Sequence, residues 1–207
     1  MTCKQFNSII YSELFSANVI NHGGIVKTRS LLLIALFAAL TALGAFIRIP
    51  TPLSSFTLQV LFTCMAGVLL GSKCGAASQL IYVLLGLIGI PIFTAGGGFN
   101  YIFNPTFGFL LGLIPMAAIV GLLSKKLNYS FWGICVACLA GLTALYAIGL
   151  PYMHLIITLY LNKPYTLMDT IYSGMLIFLP WDFLKIALTA ILCRHLLPRI
   201  KQYLILK

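Results

Sequence analysis

The chain has 207 residues, of which 61% are hydrophobic and only 8% charged, with a formal net charge of +10. A soluble domain carries roughly 25% charged residues, so this composition excludes an ordinary soluble fold and points to an integral membrane protein. The thirteen Lys and Arg are scattered at the ends of apolar runs with no basic stripe, which speaks against a nucleic-acid surface and fits the pattern that orients membrane helices.

Residues 1–26 are mixed and weakly apolar, and Glu13 interrupts any signal-peptide core. They read as a cytoplasmic N-terminal tail, or as a misassigned start upstream of Val26. The first span is expected over residues 30–49, LLLIALFAALTALGAFIRI with Lys27 and Arg29 before it, long enough to cross ~30 Å of hydrocarbon. Ala35, Ala38, Ala39 and Ala42 form two overlapping small-xxx-small pairs. Such a face admits a second helix at close range, either from this chain or from a partner. Pro50 and Pro52 end the span. A second span over residues 56–70 carries Gln59 near its start; after a short turn with Lys73, a third over 76–90 carries Gln79. Each glutamine reads either as a helix–helix hydrogen bonder or, for Gln59 at the outer end, as part of a site.

The stretch over residues 95–112, AGGGFNYIFNPTFGFLLG, cannot begin as helix. Gly96, Gly97 and Gly98 lie between Pro91 and Pro105, and glycine permits backbone conformations closed to other residues. Irregular backbone between apolar helices is tolerated at membrane depth only against protein or a water-filled cavity. The stretch therefore either lines a site or is a plain connection. Tyr101, Phe103 and Phe107 either stack on a ligand or sit at the membrane interface. A fourth span follows over 105–123, closed by Lys125 and Lys126, and a fifth over 131–150, closed by Pro151. Residues 152–179 are the least regular part, split by Pro164, and a lone His154 there reads as a packing residue. The sixth span starts at Pro180, a favoured first helical position, and reaches Leu197.

The expected fold is thus an all-α membrane protein: six transmembrane helices over residues 27–198, a Gly-rich outer loop between the third and fourth, and a basic cytoplasmic tail at 199–207. With both termini inside, ten basic residues lie inside and two, Arg48 and Lys163, outside, in accord with the positive-inside rule.

Asp182 and Lys185 are the acidic and basic residues placed within a span. At i and i+3 they share a helix face, and charges at this depth face a cavity or a partner. They form either a neutralising ion pair or a polar small-molecule site, with Lys185 attracting a carboxylate and Asp182 accepting from N–H donors; the two can alternate. Cys135 and Cys138 form a CxxC inside an apolar run, without a second pair or a histidine at zinc spacing, and read as core. No metal site, no phosphate-binding GxxxxGK[ST] loop and no nucleophile–base constellation is spaced for chemistry. Three acidic residues in all speak against a carboxylate relay, so energy for uphill transport is expected from another polypeptide.

The runs IALFAALTALGAFIRIPTP, FTLQVLF, AGVLLGSKCGAASQLIYVLLGLIGIPIF, AGGGFNYIFNPTFGFLLG and FLPWDFLKIAL, in that order over residues 27–198, resemble the BioY family, the biotin-specific substrate-binding (S) components of energy-coupling factor (ECF) transporters. The resemblance implies a six-helix protein of the cytoplasmic membrane that captures biotin from outside. It implies no cofactor and no enzyme activity of its own, and it couples the chain to a transmembrane (T) protein and two ABC-type ATPase subunits that hydrolyse ATP. The family's glycine–tyrosine–proline–threonine block falls on Gly97, Gly98, Tyr101, Pro105, Thr106 and Gly108. Its sixth-helix pair falls on Asp182 and Lys185, and its T-protein docking motif on Ala35 and Ala39. Asn100 and Asn104 stand where members commonly have glycine, Phe109 where tyrosine is common and Trp181 where glycine is common. The expected substrate-binding residues are Asp182, Lys185, Tyr101, Gln59, Gly97, Gly98, Thr106 and Asn104. An S component for another vitamin, or a membrane subunit without transport function, are the alternatives.

Overall fold

The computed structural model describes residues 28–50 and 55–205. The tail expected over 1–26 and the alternative start at Val26 lie outside the described residues. The elements are α1 (Thr28–Phe46), a two-stranded antiparallel ribbon of β1 (Arg48–Pro50) and β2 (Ser55–Thr57), α2 (Gln59–Leu87), a 3-10 turn (Phe99–Phe103), α3 (Phe107–Lys126), α4 (Phe131–Leu155), a π turn (Ile156–Tyr160), α5 (Leu167–Ile171), a second π turn (Tyr172–Leu176) and α6 (Leu179–Ile205). Apart from the ribbon, the elements among the described residues are all helical, as expected. The ribbon itself was not foreseen: it forms where Pro50 and Pro52 were read only as a span ending.

Among the described residues, five helical runs are long and apolar enough to cross a bilayer: Thr28–Phe46, Gln59–Leu87, Phe107–Lys126, Phe131–Tyr160 and Leu167–Arg199. The expected second and third spans both fall in α2. Within α2, Gly71 leaves helical geometry at φ 80° and ψ 177°, a region open essentially to glycine alone. Across that break Thr63 bonds Gln79 at 3.0 Å and Gln59 bonds Tyr82 at 2.7 Å. In a straight helix residues 59 and 82 would stand roughly 34 Å apart, at 1.5 Å per residue, so the two arms of α2 fold back alongside each other.

Two further expectations change. Pro151 does not end the fifth span and Pro198 does not end the last: α4 runs on to Leu155 and α6 to Ile205. In lipid, leaving the helix exposes several backbone groups to hydrocarbon, whereas a proline removes one bond that neighbours can replace. The break around Pro164 does occur, between the first π turn and α5, and Thr166 restarts the helix with a reciprocal capping box to Asp169.

The arms of α2 form the centre, packed by α1, α3 and α6, and α4 closes the ring against α3 and α6. Gly121 of α3 sits on the turn of α2, where a Cβ would meet the Ser72 nitrogen at 2.4 Å. Leu31, Leu32, Leu36 and Leu43 of α1 point outward, as a surface surrounded by acyl chains allows. The two alanine pairs separate: Ala38 and Ala42 are buried, while Ala35 and Ala39 are exposed.

Candidate functional site

The site lies at the end of the bundle where α2, α3 and α6 all begin, opposite the Lys73 turn and the Lys125–Lys126 end of α3. A cavity of about 80 Å³ is lined there by polar groups from four directions: Thr57 and Gln59, Thr94, Thr106, and Tyr146 with Asp182 and Lys185. Phe109, Leu110, Leu113, Leu145 and Phe178 supply its apolar wall. Ligand pockets commonly enclose roughly 300–1,000 Å³, so a ligand of ordinary size fits only when the lining parts.

Asp182 and Lys185 lie in the first turns of α6 and form an ion pair of 2.8 Å. They are 3% and 7% exposed. Asp182 uses its other oxygen to accept the Tyr146 hydroxyl proton from α4. A buried carboxylate is tolerable only when paired and hydrogen-bonded, and this one has both. The group is neutral overall, yet it offers an ammonium and a carboxylate to a ligand able to substitute for either partner.

Opposite stands Gln59, whose amide nitrogen donates to Tyr82 at 2.7 Å and whose oxygen accepts from Thr57 at 3.0 Å. The third wall is the loop between α2 and α3. Its glycines do not line the cavity. Gly97 packs against backbone, where a Cβ would meet the Ile90 carbonyl oxygen at 2.2 Å, and the Gly98 N–H donates to the Gly86 carbonyl at 2.7 Å. They shape the loop, and threonines on either side reach the cavity.

Of the expected residues, the structure therefore gathers Gln59, Thr106, Asp182 and Lys185 around one cavity. Tyr101 and Asn104 stand one bond behind: the Tyr101 hydroxyl joins Thr94 at 2.9 Å and Thr106 at 3.3 Å, and Asn104 accepts from the Thr106 hydroxyl at 2.7 Å. Gln79 is fully buried away from the cavity and ties Thr41 of α1 to Thr63, a helix–helix role. Phe107 is buried, and Phe103 is exposed and stacked on Tyr160. His154 bonds Thr170 at 3.0 Å. Cys138 is buried core.

Sequence reasoning missed Thr57, Thr94 and Tyr146. For Tyr146 a signal existed, the one phenol in the apolar run GLTALYAIGL. Thr57 and Thr94 had none, because their role depends on the folded ribbon and loop. A larger groove of about 780 Å³ lies between α4 and α5–α6. Its lining is apolar apart from Tyr146, His154, Thr143 and Thr170, whereas the smaller cavity holds the charged pair.

The model of the BioY family matches residues 16–202 of this chain. The probable biotin transporter BioY of Lysinibacillus sphaericus is 40% identical over 171 residues, covering 82% of this chain and 87% of that protein. The biotin transporter BioY of Thermotoga maritima is 33% identical over 169 residues, covering 81% and 95%. The fold is similar to the crystal structure of the S-component for biotin from an ECF-type ABC transporter, with a TM-score of 0.71 and 28% identity over 81% of this chain and 90% of that one. The chain belongs to the BioY family.

Proposed function

We propose that this protein captures biotin at the outer side of the cytoplasmic membrane and delivers it for uptake as the S component of an ECF-type ABC transporter. The buried Asp182–Lys185 pair, facing Gln59 across a cavity, carries the reading, alongside family membership. Biotin has ureido N–H donors and a carbonyl, an apolar ring and chain, and a carboxylate. The cavity offers an acceptor in Asp182, an amide in Gln59, hydroxyls in Thr106 and Thr94, an apolar wall and a cation in Lys185. Tyr101 and Asn104 hold Thr106 in place, and Gly97 and Gly98 shape the loop.

Counting the arms of α2 separately gives six crossings, which put both termini on one side, and the excess of Lys and Arg on that side supports its being the cytoplasm. ATP hydrolysis then belongs to two ABC-type subunits joined through a T protein. Biotin titration of the purified chain in detergent tests the capture step. Trp181 adjoins Asp182, and Trp132 is 77% exposed, so Trp132→Phe leaves Trp181 as the sole tryptophan reporter. Saturable quenching is expected, with a biotin methyl ester at least tenfold weaker. A folded protein that ignores biotin and binds another vitamin overturns the reading.

The exposed Ala35 and Ala39 on α1 fit docking on the T protein. Ala35→Leu with Ala39→Leu is expected to lower co-purification of the T protein and ATPases at least fivefold while biotin binding by the isolated chain stays at the wild-type level. Undiminished recovery of the complex removes this role from α1.

A further inference from the structure

We infer that Tyr82 is a positioning residue for ligand recognition: from behind the cavity wall it fixes which way the Gln59 amide faces. The inference rests on the capture reading above. Tyr82 sits on the second arm of α2, is 0% exposed and has no place in the cavity lining. Phenylalanine would fill the same space, so the hydroxyl requires its own explanation.

That hydroxyl makes two bonds. It donates to the Ile92 carbonyl at 3.1 Å and accepts from the Gln59 amide nitrogen at 2.7 Å. A carbonyl can only accept, so it commits the single Tyr82 proton. The Tyr82 oxygen is then left as an acceptor, and only the NH₂ end of Gln59 can face it. Thr57, which meets the other end of the amide at 3.0 Å, cannot impose this choice, because a hydroxyl both donates and accepts. The Ile92 carbonyl thus sets the amide through Tyr82. Gln59 presents a defined N–H and a defined carbonyl lone pair to the cavity, and Thr57, its proton held by Gln59, presents an acceptor.

The Ile92 segment does not depend on this one bond. The Phe93 N–H donates to the Gly96 carbonyl at 2.8 Å, and Tyr101 holds Thr94 at 2.9 Å. The Phe93 ring lies edge-on to Tyr82 at 5.5 Å and beside Tyr101 at 4.7 Å, contacts that Tyr82→Phe keeps. Losing the hydroxyl therefore frees the Gln59 amide to rotate and leaves Thr94 in place.

A double-mutant cycle on the full chain in detergent, read by biotin titration, separates positioning from packing. Tyr82→Phe is expected to weaken biotin about tenfold. In a Gln59→Leu background the same change is expected to alter affinity less than twofold, since no amide remains to orient. The double variant also removes the amide N–H that Tyr82→Phe leaves unpaired, so its comparison with Gln59→Leu tests the inference even where the single variant fails to fold. A further loss of fivefold or more in that background, or wild-type affinity in Tyr82→Phe, overturns the inference. Wild-type affinity is the reference of the cycle and reports separately on the capture reading.

Discussion

Lys185→Met is expected to abolish measurable biotin binding and to destabilise the protein by on the order of 3–5 kcal/mol, the usual penalty for breaking a buried ion pair by removing one partner. Asp182 is 3% exposed and would keep a carboxylate with Tyr146 as its remaining bond among those described at the site. Burial of an uncompensated charge, rather than loss of the attraction itself, dominates such penalties. The pair Lys185→Met with Asp182→Asn removes both charges, keeps an oxygen for the Tyr146 proton, and is expected to recover most of the stability without recovering binding. Thermal unfolding in detergent measures the first effect and biotin titration the second. If Lys185→Met melts with the wild type and binds biotin as tightly, Lys185 neither holds the ligand nor balances Asp182.

Gly121→Val is expected to loosen the packing of α3 on the turn of α2. A Cβ there would stand 2.4 Å from the Ser72 nitrogen and 2.6 Å from the Gly71 carbonyl carbon. Both are backbone atoms, and they belong to the break at Gly71 (φ 80°, ψ 177°) that turns α2 back on itself. Overpacking against side chains costs about 1–3 kcal/mol; against a fixed backbone turn the upper end applies. For a chain of this length that corresponds to a fall in Tm of roughly 6–12 °C. Leu122→Ala, one residue on and 52% exposed to the surroundings of the bundle, is the matched control and is expected to melt close to the wild type. Equal melting of both variants would mean that α3 and the α2 turn can separate freely, contrary to the packing described.

Much of this protein was legible in its residue order. The apolar runs announce membrane helices because length and composition suffice for that inference. Asp182 and Lys185 stand out because charge at membrane depth needs a reason. The motifs carried the family resemblance, which the comparisons bear out. Helix ends were less legible: Pro151 and Pro198 are punctuation in water but lie inside helices here, since the surrounding solvent offers no partner for freed backbone groups.

Tertiary structure alone decided which faces turn inward. In water a helix reveals its buried face by a change of polarity, but α1 is apolar on both its buried face and its exposed leucine face. Only packing separates Ala38 and Ala42 from Ala35 and Ala39. The site follows the same logic. Gln59, Thr94, Thr106, Tyr146 and Asp182 come from separate segments, and none carries a local signature of the others. They meet because Gly71 folds α2 back on itself and Gly121 lets α3 close over that turn. The charged pair could be read from spacing along one helix; the cavity around it could not, because it is made by the approach of five chain segments whose distances no local pattern encodes.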